Sequence, residues 1–208
     1  MRIVCLPVTP MQENVYFYYD DETKVGVVID PGGESKRLCR FIDDNGLKIE
    51  GILLTHGHFD HILAVNAVKE ATSAPVACHS AEEAMLRSSK QNFFREAVKD
   101  TGVEADILLN DGDVFEFGGH KIKVIHTPGH TAGGVSYYAE ECSALFSGDT
   151  LFYDSVGRTD LQGGNNAALC SSIKDKLFIL PDDTVVYPGH GESTTIGHEK
   201  MHNPFVRF

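Results

Sequence analysis

A dense group of metal-binding residue types follows one apolar run and constrains what this chain can fold into. The run Gly51–Leu54 precedes His56, His58, Asp60 and His61, so three histidines and one aspartate fall within six positions. An apolar run that ends in such a group is typical of a buried strand with a site at its C-terminal end. Four ligand types this close overfill one tetrahedral zinc ion and suit two adjacent metal ions. We therefore predict a metal centre at the end of this strand.

Three later segments repeat the same arrangement, in which a glycine and then a histidine or aspartate follow an apolar strand. Their candidate ligands are His130, Asp149 and His190. Glycine lets the backbone turn sharply and approach a ligand closely. One such residue alone is more often part of a turn, but three of them beside the first group indicate shared metal binding. The pattern alone does not divide the seven candidate ligands between two ions.

The charge and cysteine content exclude some partners and compartments. The chain has 208 residues and a net charge of −12, which disfavours a nucleic-acid backbone and an anionic membrane as partners. Its five cysteines are scattered and form no C-x-x-C pair, which favours a reducing compartment. The first residues lack the apolar core of a signal peptide, and no apolar run approaches the ~20 residues of a membrane helix. We therefore expect a cytoplasmic protein.

Short β-rich runs and amphipathic stretches alternate along the chain. The predicted strands are Ile3–Val8, Val15–Tyr19, Val25–Ile29, Ile49–Leu54, Pro75–Cys78, Ile107–Leu109, Val114–Phe117, Lys121–Ile125, Val135–Tyr138, Ala144–Phe146 and Thr184–Tyr187. The predicted helices are Glu34–Asn45, a helix capped by Asp60 that buries Ile62, Val65 and Val68, Ser80–Lys99, and Asn165–Phe178. This order predicts an α/β fold of two half-units in a four-layer sandwich with the helices outside. No linker or repeat interrupts it, so we predict one domain over residues 1–208.

The order of the motifs resembles that of a known superfamily. The motifs T-H-x-H-x-D-H, G-H-T, G-D-T and G-H-G are similar to those of the metallo-β-lactamase superfamily, and most similar to its short glyoxalase II-type hydrolases. The resemblance extends from Glu13–Tyr16 through Asp30–Gly33 to Thr194–Glu199, so it covers nearly the whole chain. It implies an αββα fold with the site at one edge of the sandwich. It also implies a small-molecule thioester substrate of the hydroxyacylglutathione type, while the oligomeric state stays open.

The resemblance also implies how the ligands are shared between two divalent ions. His56, His58 and His130 would hold the first ion, Asp60, His61 and His190 the second, and Asp149 would bridge them. Zinc is the expected metal, with iron and manganese as alternatives. A hydroxide between the ions would attack the thioester carbonyl. Asp60 would both bind the second ion and orient this hydroxide, which makes it the predicted catalytic residue.

Single residues distinguish the chain from other members of the superfamily. This chain has Asp149 in its G-D-T motif, whereas true class B β-lactamases have no bridging aspartate at that position. It has His58 at the position where flavodiiron proteins have a glutamate. Arg158 falls where full-length glyoxalase II has a lysine that meets a glutathione carboxylate. An arginine can bind a carboxylate through two parallel hydrogen bonds, so Arg158 is a predicted substrate-binding residue. The alternative is a contact of Arg158 with Asp160 or with the backbone, which would shape the loop.

Two further functions remain as alternatives to thioester hydrolysis. A G-R-T-D segment similar to residues 157–160 occurs in persulfide dioxygenases, which share the fold and use one iron. His56, His130 and Asp149 would then form the two-histidine, one-carboxylate triad of oxygen-activating iron sites. The other alternative is a non-catalytic zinc-binding protein. Structural zinc sites are closed, so seven ligands around an open bridging position favour an enzyme.

Overall fold

Two six-stranded sheets organise the chain, and each belongs mainly to one of two compact units. The computed structural model describes residues 1–87 and 102–206. The first unit comprises Met1–Leu109 with Glu116–His120, and the second comprises Asn110–Phe115 with Lys121–Phe208. Among the described residues, no helix combines the length and apolar character needed to cross a membrane.

The sheet of the first unit brings the ends of two neighbouring parallel strands to one edge, one followed by candidate ligands and the other by Asp30. Its strands, in spatial and chain order, are β1 (Arg2–Val8), β2 (Glu13–Tyr19), β3 (Val25–Ile29), β4 (Lys48–Leu53), β5 (Val76–His79) and β6 (Ile107–Leu109). β1 to β3 pair in antiparallel fashion, whereas β3 to β6 are parallel. The C-terminal ends of neighbouring parallel strands meet at the same edge. Asp30, after β3, and the residues after β4 therefore lie beside each other, and the bond from the Asp30 amide to the Leu53 carbonyl (3.0 Å) joins them.

The helices of the first unit cover its core and correct one prediction. They are α1 (Ser35–Asn45), α2 (Phe59–Ile62), α3 (Val65–Thr72) and α4 (Glu83–Arg87), with a 3-10 turn at Ser80–Glu82. Ile62, Val65 and Val68 are buried as predicted. The prediction that Asp60 caps a helix is wrong, because α2 already begins at Phe59 and Asp60 lies inside its first turn. The part of the predicted Ser80–Lys99 helix beyond residue 87 lies outside the described residues.

In the second sheet, as in the first, strands that run in the same direction end at one edge, and the candidate ligands that follow them are far apart in sequence. Its strands are β7 (Val114–Phe117), β8 (His120–His126), β9 (Val135–Ala139), β10 (Ala144–Gly148), β13 (Val185–Pro188) and β14 (Thr194–Thr195). Their spatial order is β14-β13-β10-β9-β8-β7. The two strands between β10 and β13 in the chain, β11 (Leu151–Phe152) and β12 (Ser155–Val156), pair with each other as a separate hairpin. β9 is antiparallel to both β8 and β10, and β10 is parallel to β13. Strands β8, β10 and β13 therefore run in the same direction. Their C-terminal ends face one edge, which receives His130, Asp149 and His190.

Two helices complete the described part of the second unit. The predicted helix Asn165–Phe178 is present as α5 (Asn166–Ser171) followed by a π-helical stretch at Ser172–Leu177. The Asn165 side chain caps α5 by accepting a hydrogen bond from the Ala168 amide at 3.0 Å. The last helix, α6 (Ile196–His202), was not predicted and is capped by Thr195.

Candidate metal centre

The first unit places three of its predicted ligands in contact at the end of β4. His56, His58 and His61 are buried, and the ring centroid of His56 lies 4.7 Å from that of His58 and 4.1 Å from that of His61. Asp60, in the first turn of α2, is partly buried. Three imidazoles packed this closely in a buried position match a site that collects nitrogen ligands for a metal ion.

One buried carboxylate, Asp30, fixes the orientation of two of these histidines. Its oxygens accept hydrogen bonds from the Thr55 amide (2.7 Å), the Thr55 hydroxyl (2.5 Å) and Nδ1 of His61 (2.9 Å). Because the Thr55 hydroxyl donates its proton to Asp30, the 3.1 Å contact between that hydroxyl and Nδ1 of His56 requires His56 to be the donor. Both imidazoles then carry their proton on Nδ1 and present the Nε2 lone pair, which is the form that binds metal.

Asp30 positions the ligands and is not assigned as a ligand. It lies close enough to His56 and His61 to form a candidate metal-binding group with them. Both of its oxygens, however, are already engaged by Thr55 and His61, as is usual for a carboxylate behind a metal-binding histidine. The sequence prediction missed this role, although the position of Asp30 directly after a predicted strand was a usable signal.

A second buried carboxylate supports the turn between the first two histidines. The Gly57 amide donates a hydrogen bond to Oε1 of Glu82 at 2.9 Å, and Glu82 is almost fully buried. A hydrogen bond from a backbone amide to a carboxylate is strong, and breaking it would leave a buried charge without this donor. The contact with Glu82 therefore holds the turn at Gly57 in place. Glu82 was also missed at the sequence level, because a glutamate in a polar stretch carries no distinguishing pattern.

The second unit places Asp149 beside both of its histidine candidates. Oδ2 of Asp149 lies 3.5 Å from Nε2 of His130 and 3.8 Å from Nε2 of His190. Nδ1 of His130 lies 2.8 Å from the Arg158 carbonyl, an acceptor only, so this nitrogen carries the proton and Nε2 is the ligand atom. One carboxylate oxygen beside two imidazole Nε2 atoms fits three ligands of one ion, and it also fits a carboxylate that is shared between two ions.

Gly157 allows the loops that carry Asp149 and His130 to approach each other. A Cβ atom at position 157 would overlap the Asp149 carbonyl and would also come within 3.3 Å of Cβ of His130. Any side chain at this position must therefore displace the backbone beside a predicted ligand.

We expect Gly157→Ala to lower the free energy of unfolding by about 1–3 kcal/mol, the usual cost of overpacking, and to weaken metal binding. Thermal unfolding and metal content measure the two effects. Gly102→Ala is the control, because among the described residues a Cβ there meets only the Arg87 carbonyl, at an ordinary 3.7 Å. Equal metal content and stability in the two variants would contradict this interpretation.

The Arg158 side chain binds Asp160 in the structure. Nε and Nη2 of Arg158 each donate to one oxygen of Asp160 at 2.7 Å, and both side chains are mostly exposed. This pair lowers the pKa of Asp160 to about 2. The loop-shaping contact considered at the sequence level is therefore present, while the substrate-binding role of Arg158 stays a prediction.

The donor atoms available within each unit fit divalent transition metals. The first unit offers histidine nitrogens with one neighbouring aspartate, and the second offers two histidines around one carboxylate. Mixed imidazole and carboxylate ligands suit zinc, iron and manganese alike, so this donor set does not choose among them. Imidazole and carboxylate donors at the ends of parallel strands define a class of metal-binding α/β proteins.

Comparison with known proteins identifies the family. The model of the metallo-beta-lactamase superfamily matches residues 8–190, and the chain belongs to this superfamily. The hydroxyacylglutathione hydrolase GloC of Haemophilus influenzae is 36% identical over 217 residues, which cover 99% of this chain and 98% of GloC.

Two solved structures share the fold over almost the whole chain. The crystal structure of BLEG-1, a B3 metallo-beta-lactamase, has a TM-score of 0.93 and 42% identity, and the match covers 99% of both chains. The di-iron-bound form of TTHA1623 has a TM-score of 0.86 and 38% identity, with 97% of this chain and 99% of that chain covered. The predicted metallo-β-lactamase fold is thereby confirmed.

Proposed function

We propose that the protein is a glyoxalase II-like thioesterase that cleaves hydroxyacylglutathione-type thioesters with two divalent metal ions. The observation that carries the proposal is the position of Asp149 Oδ2 beside Nε2 of both His130 and His190. The same separations also fit three ligands of one ion, so the choice of two ions rests on the predicted ligand set and on the di-iron-bound neighbour. The identity with GloC across nearly both full chains supports the substrate class.

The proposed ligand set is the one that the sequence predicts. One ion would be held by His56, His58 and His130, the other by Asp60, His61 and His190, with Asp149 shared and zinc as the expected metal. Bound there, two divalent ions would supply Lewis acidity and would lower the pKa of water at the centre to about 7. A two-ion form is supported by the di-iron-bound neighbour, which also keeps iron open as the resident metal.

The residues of this chain would orient the reactants around that centre. Asp60 accepts a hydrogen bond from the attacking water and aims it at the thioester carbonyl. The Nδ1 protons of His56, His61 and His130 remain on nitrogen and stay hydrogen-bonded to their acceptors, so these rings keep their orientation during turnover. The departing thiolate needs no strong general acid, because thiols have a pKa near ~8.5.

Thioester hydrolysis by metal-loaded protein is the direct test. We expect turnover of S-D-lactoylglutathione by protein that holds about two ions per chain, and its loss in Asp60→Ala and His61→Ala. An unchanged rate in both variants would overturn the assignment. One iron per chain together with oxygen uptake on a glutathione persulfide would favour the dioxygenase, and full metal content without hydrolysis of any thioester, ester or lactam would favour a binding protein.

β-Lactam hydrolysis is a second candidate, and one observation favours it. BLEG-1, titled a B3 metallo-beta-lactamase, is 42% identical over 99% of both chains. Lactams and thioesters are both acyl compounds that an activated water can attack. Parallel assays with a cephalosporin and with S-D-lactoylglutathione on one preparation rank the two substrates, and we expect the thioester to have the larger kcat/KM.

The role of Arg158 is tested by its effect on KM. If Arg158 leaves Asp160 to bind a glutathione carboxylate, Arg158→Ala raises KM for S-D-lactoylglutathione by roughly 10-fold, the equivalent of one exposed charge-assisted hydrogen bond. The kcat stays nearly constant, because this contact is equally strong in the ground and transition states. Arg37→Ala is the control, since Arg37 forms a comparable exposed pair with Glu34 at 2.9 Å. Equal KM values in the two variants would leave Arg158 only its contact with Asp160.

A further inference from the structure

A second group of metal-binding residue types lies on the last helix and on the hairpin that follows Asp149. Helix α6 carries the sequence His198-Glu199-Lys200-Met201-His202, and Asp154 lies in the turn between β11 and β12. Ligand atoms of Asp154, His198 and Glu199 all lie within 4.8 Å of one another. This group shares no residue with the candidate centre described above.

We propose that Asp154, His198 and His202 bind a divalent transition-metal ion such as zinc, with Glu199 as a supporting carboxylate beside His198. Nε2 of His198 lies 2.8 Å from Oδ1 of Asp154 and 3.9 Å from Oε1 of Glu199, so one nitrogen faces two carboxylates. His202 is four residues after His198 and therefore on the same helix face. Their ring centroids are 4.8 Å apart. Two histidines at this helical spacing with a glutamate after the first are a known zinc-binding pattern.

The surroundings fix part of this site and leave the rest adjustable. Glu199 is buried, and both of its oxygens are engaged. Oε1 accepts from the Thr194 hydroxyl at 2.6 Å and from the Asp154 amide at 3.3 Å, and Oε2 accepts from Nδ2 of Asn203 at 2.7 Å, so Glu199 supports the site in the way that Asp30 supports His61. Two ligands bound at ~2.1 Å in a tetrahedron are about 3.4 Å apart. Asp154 must therefore move outward by a few tenths of an ångström, and its partly exposed side chain at a hairpin turn allows this. Tyr153 stacks on the His198 ring with centroids 5.0 Å apart and steadies it.

Zinc binding beyond the resident metal tests the proposal. Holoprotein is dialysed against Zn²⁺, and bound zinc is counted for the wild type, His198→Gln, Asp154→Asn and the control His120→Gln. His120 also faces one aspartate, with Nε2 3.1 Å from Oδ2 of Asp20, but it belongs to no candidate group of three among the described residues. Glu199 is left unchanged, because its hydrogen bonds to Thr194 and Asn203 support the fold.

We expect the wild type and His120→Gln to take up about one additional zinc per chain, and His198→Gln and Asp154→Asn to bind it roughly 10-fold more weakly or not at all. Added zinc raises the Tm of the wild-type holoprotein but not that of His198→Gln, since an ion that binds only the folded state stabilises it. No additional zinc in the wild type would overturn the proposal. So would equal zinc uptake in all four proteins, or an equal loss in His120→Gln and His198→Gln.

Discussion

We expect Asp149→Asn to lower the proposed thioester hydrolysis by more than about 100-fold and to reduce the metal content of the protein. Changes behind a metal ligand already cost 10–100-fold, and Asp149 is a proposed ligand of both ions. Its Oδ2 lies within 4 Å of Nε2 of His130 and of His190. The amide nitrogen of an asparagine carries no charge and no available lone pair, so at this position it would not bind a metal ion. Elemental content and kcat on S-D-lactoylglutathione, measured on one sample, record both losses.

The control for this variant is Asp113→Asn. Asp113 also lies in the second unit and accepts a backbone hydrogen bond, from Asn110 at 2.8 Å, but it is exposed in a turn. The two substitutions change the same atom and the same charge. If Asp149→Asn keeps full metal content and activity, Asp149 is not a bridging ligand and the two-metal proposal fails.

Asp30→Asn weakens metal binding by about 10–100-fold without removing a ligand. The carboxylate accepts three hydrogen bonds, from the amide and hydroxyl of Thr55 and from Nδ1 of His61. An asparagine offers one oxygen and an NH₂ group, so at least one of the three donors faces another donor in a buried site. We expect this to cost about 1–3 kcal/mol of unfolding free energy and to let the His61 ring rotate.

Asp20→Asn is the matched control for Asp30→Asn. Asp20 accepts from the Glu22 and Thr23 amides at 2.7 and 3.0 Å and contacts Nε2 of His120 at 3.1 Å, which is a similar set of partners. It lies at the opposite end of β3 from Asp30. Zinc affinity measured by competition with a chelator separates the two variants. Equal affinity would mean that Asp30 supports the fold only.

The sequence predicted the ligand-bearing strands well, because ligand type and strand periodicity are both local. His56, His130, Asp149 and His190 each follow an apolar run, and each run is a strand in the structure. The supporting contacts were not predictable in this way. Asp30 reaches His61 across 31 positions, and nothing local to either residue specifies the pairing.

Short elements and loop contacts escaped prediction for a related reason. The hairpin β11–β12 has two residues per strand, and β14 is equally short, so their periodicity is too brief to detect. The helical role of Asp60 was misjudged by two positions, since the residue at the cap position is His58, and capping depends on where the backbone turns. For Arg158 the sequence allowed two carboxylate partners, one on the substrate and one on Asp160. The structure shows the pair with Asp160.

The strand pairing of the second sheet determines when its candidate ligands come together. His130, Asp149 and His190 follow β8, β10 and β13, and the last of these strands must pair with β10 before the third ligand arrives. An ion cannot serve as an early template for this unit, as it does in small zinc fingers, because the ligands do not exist as a set until the sheet does. We therefore expect metal loading of this unit to follow the formation of its sheet. The ion that is bound then depends on which metals are available in the compartment of the folded chain and on how long the folded, metal-free protein stays there.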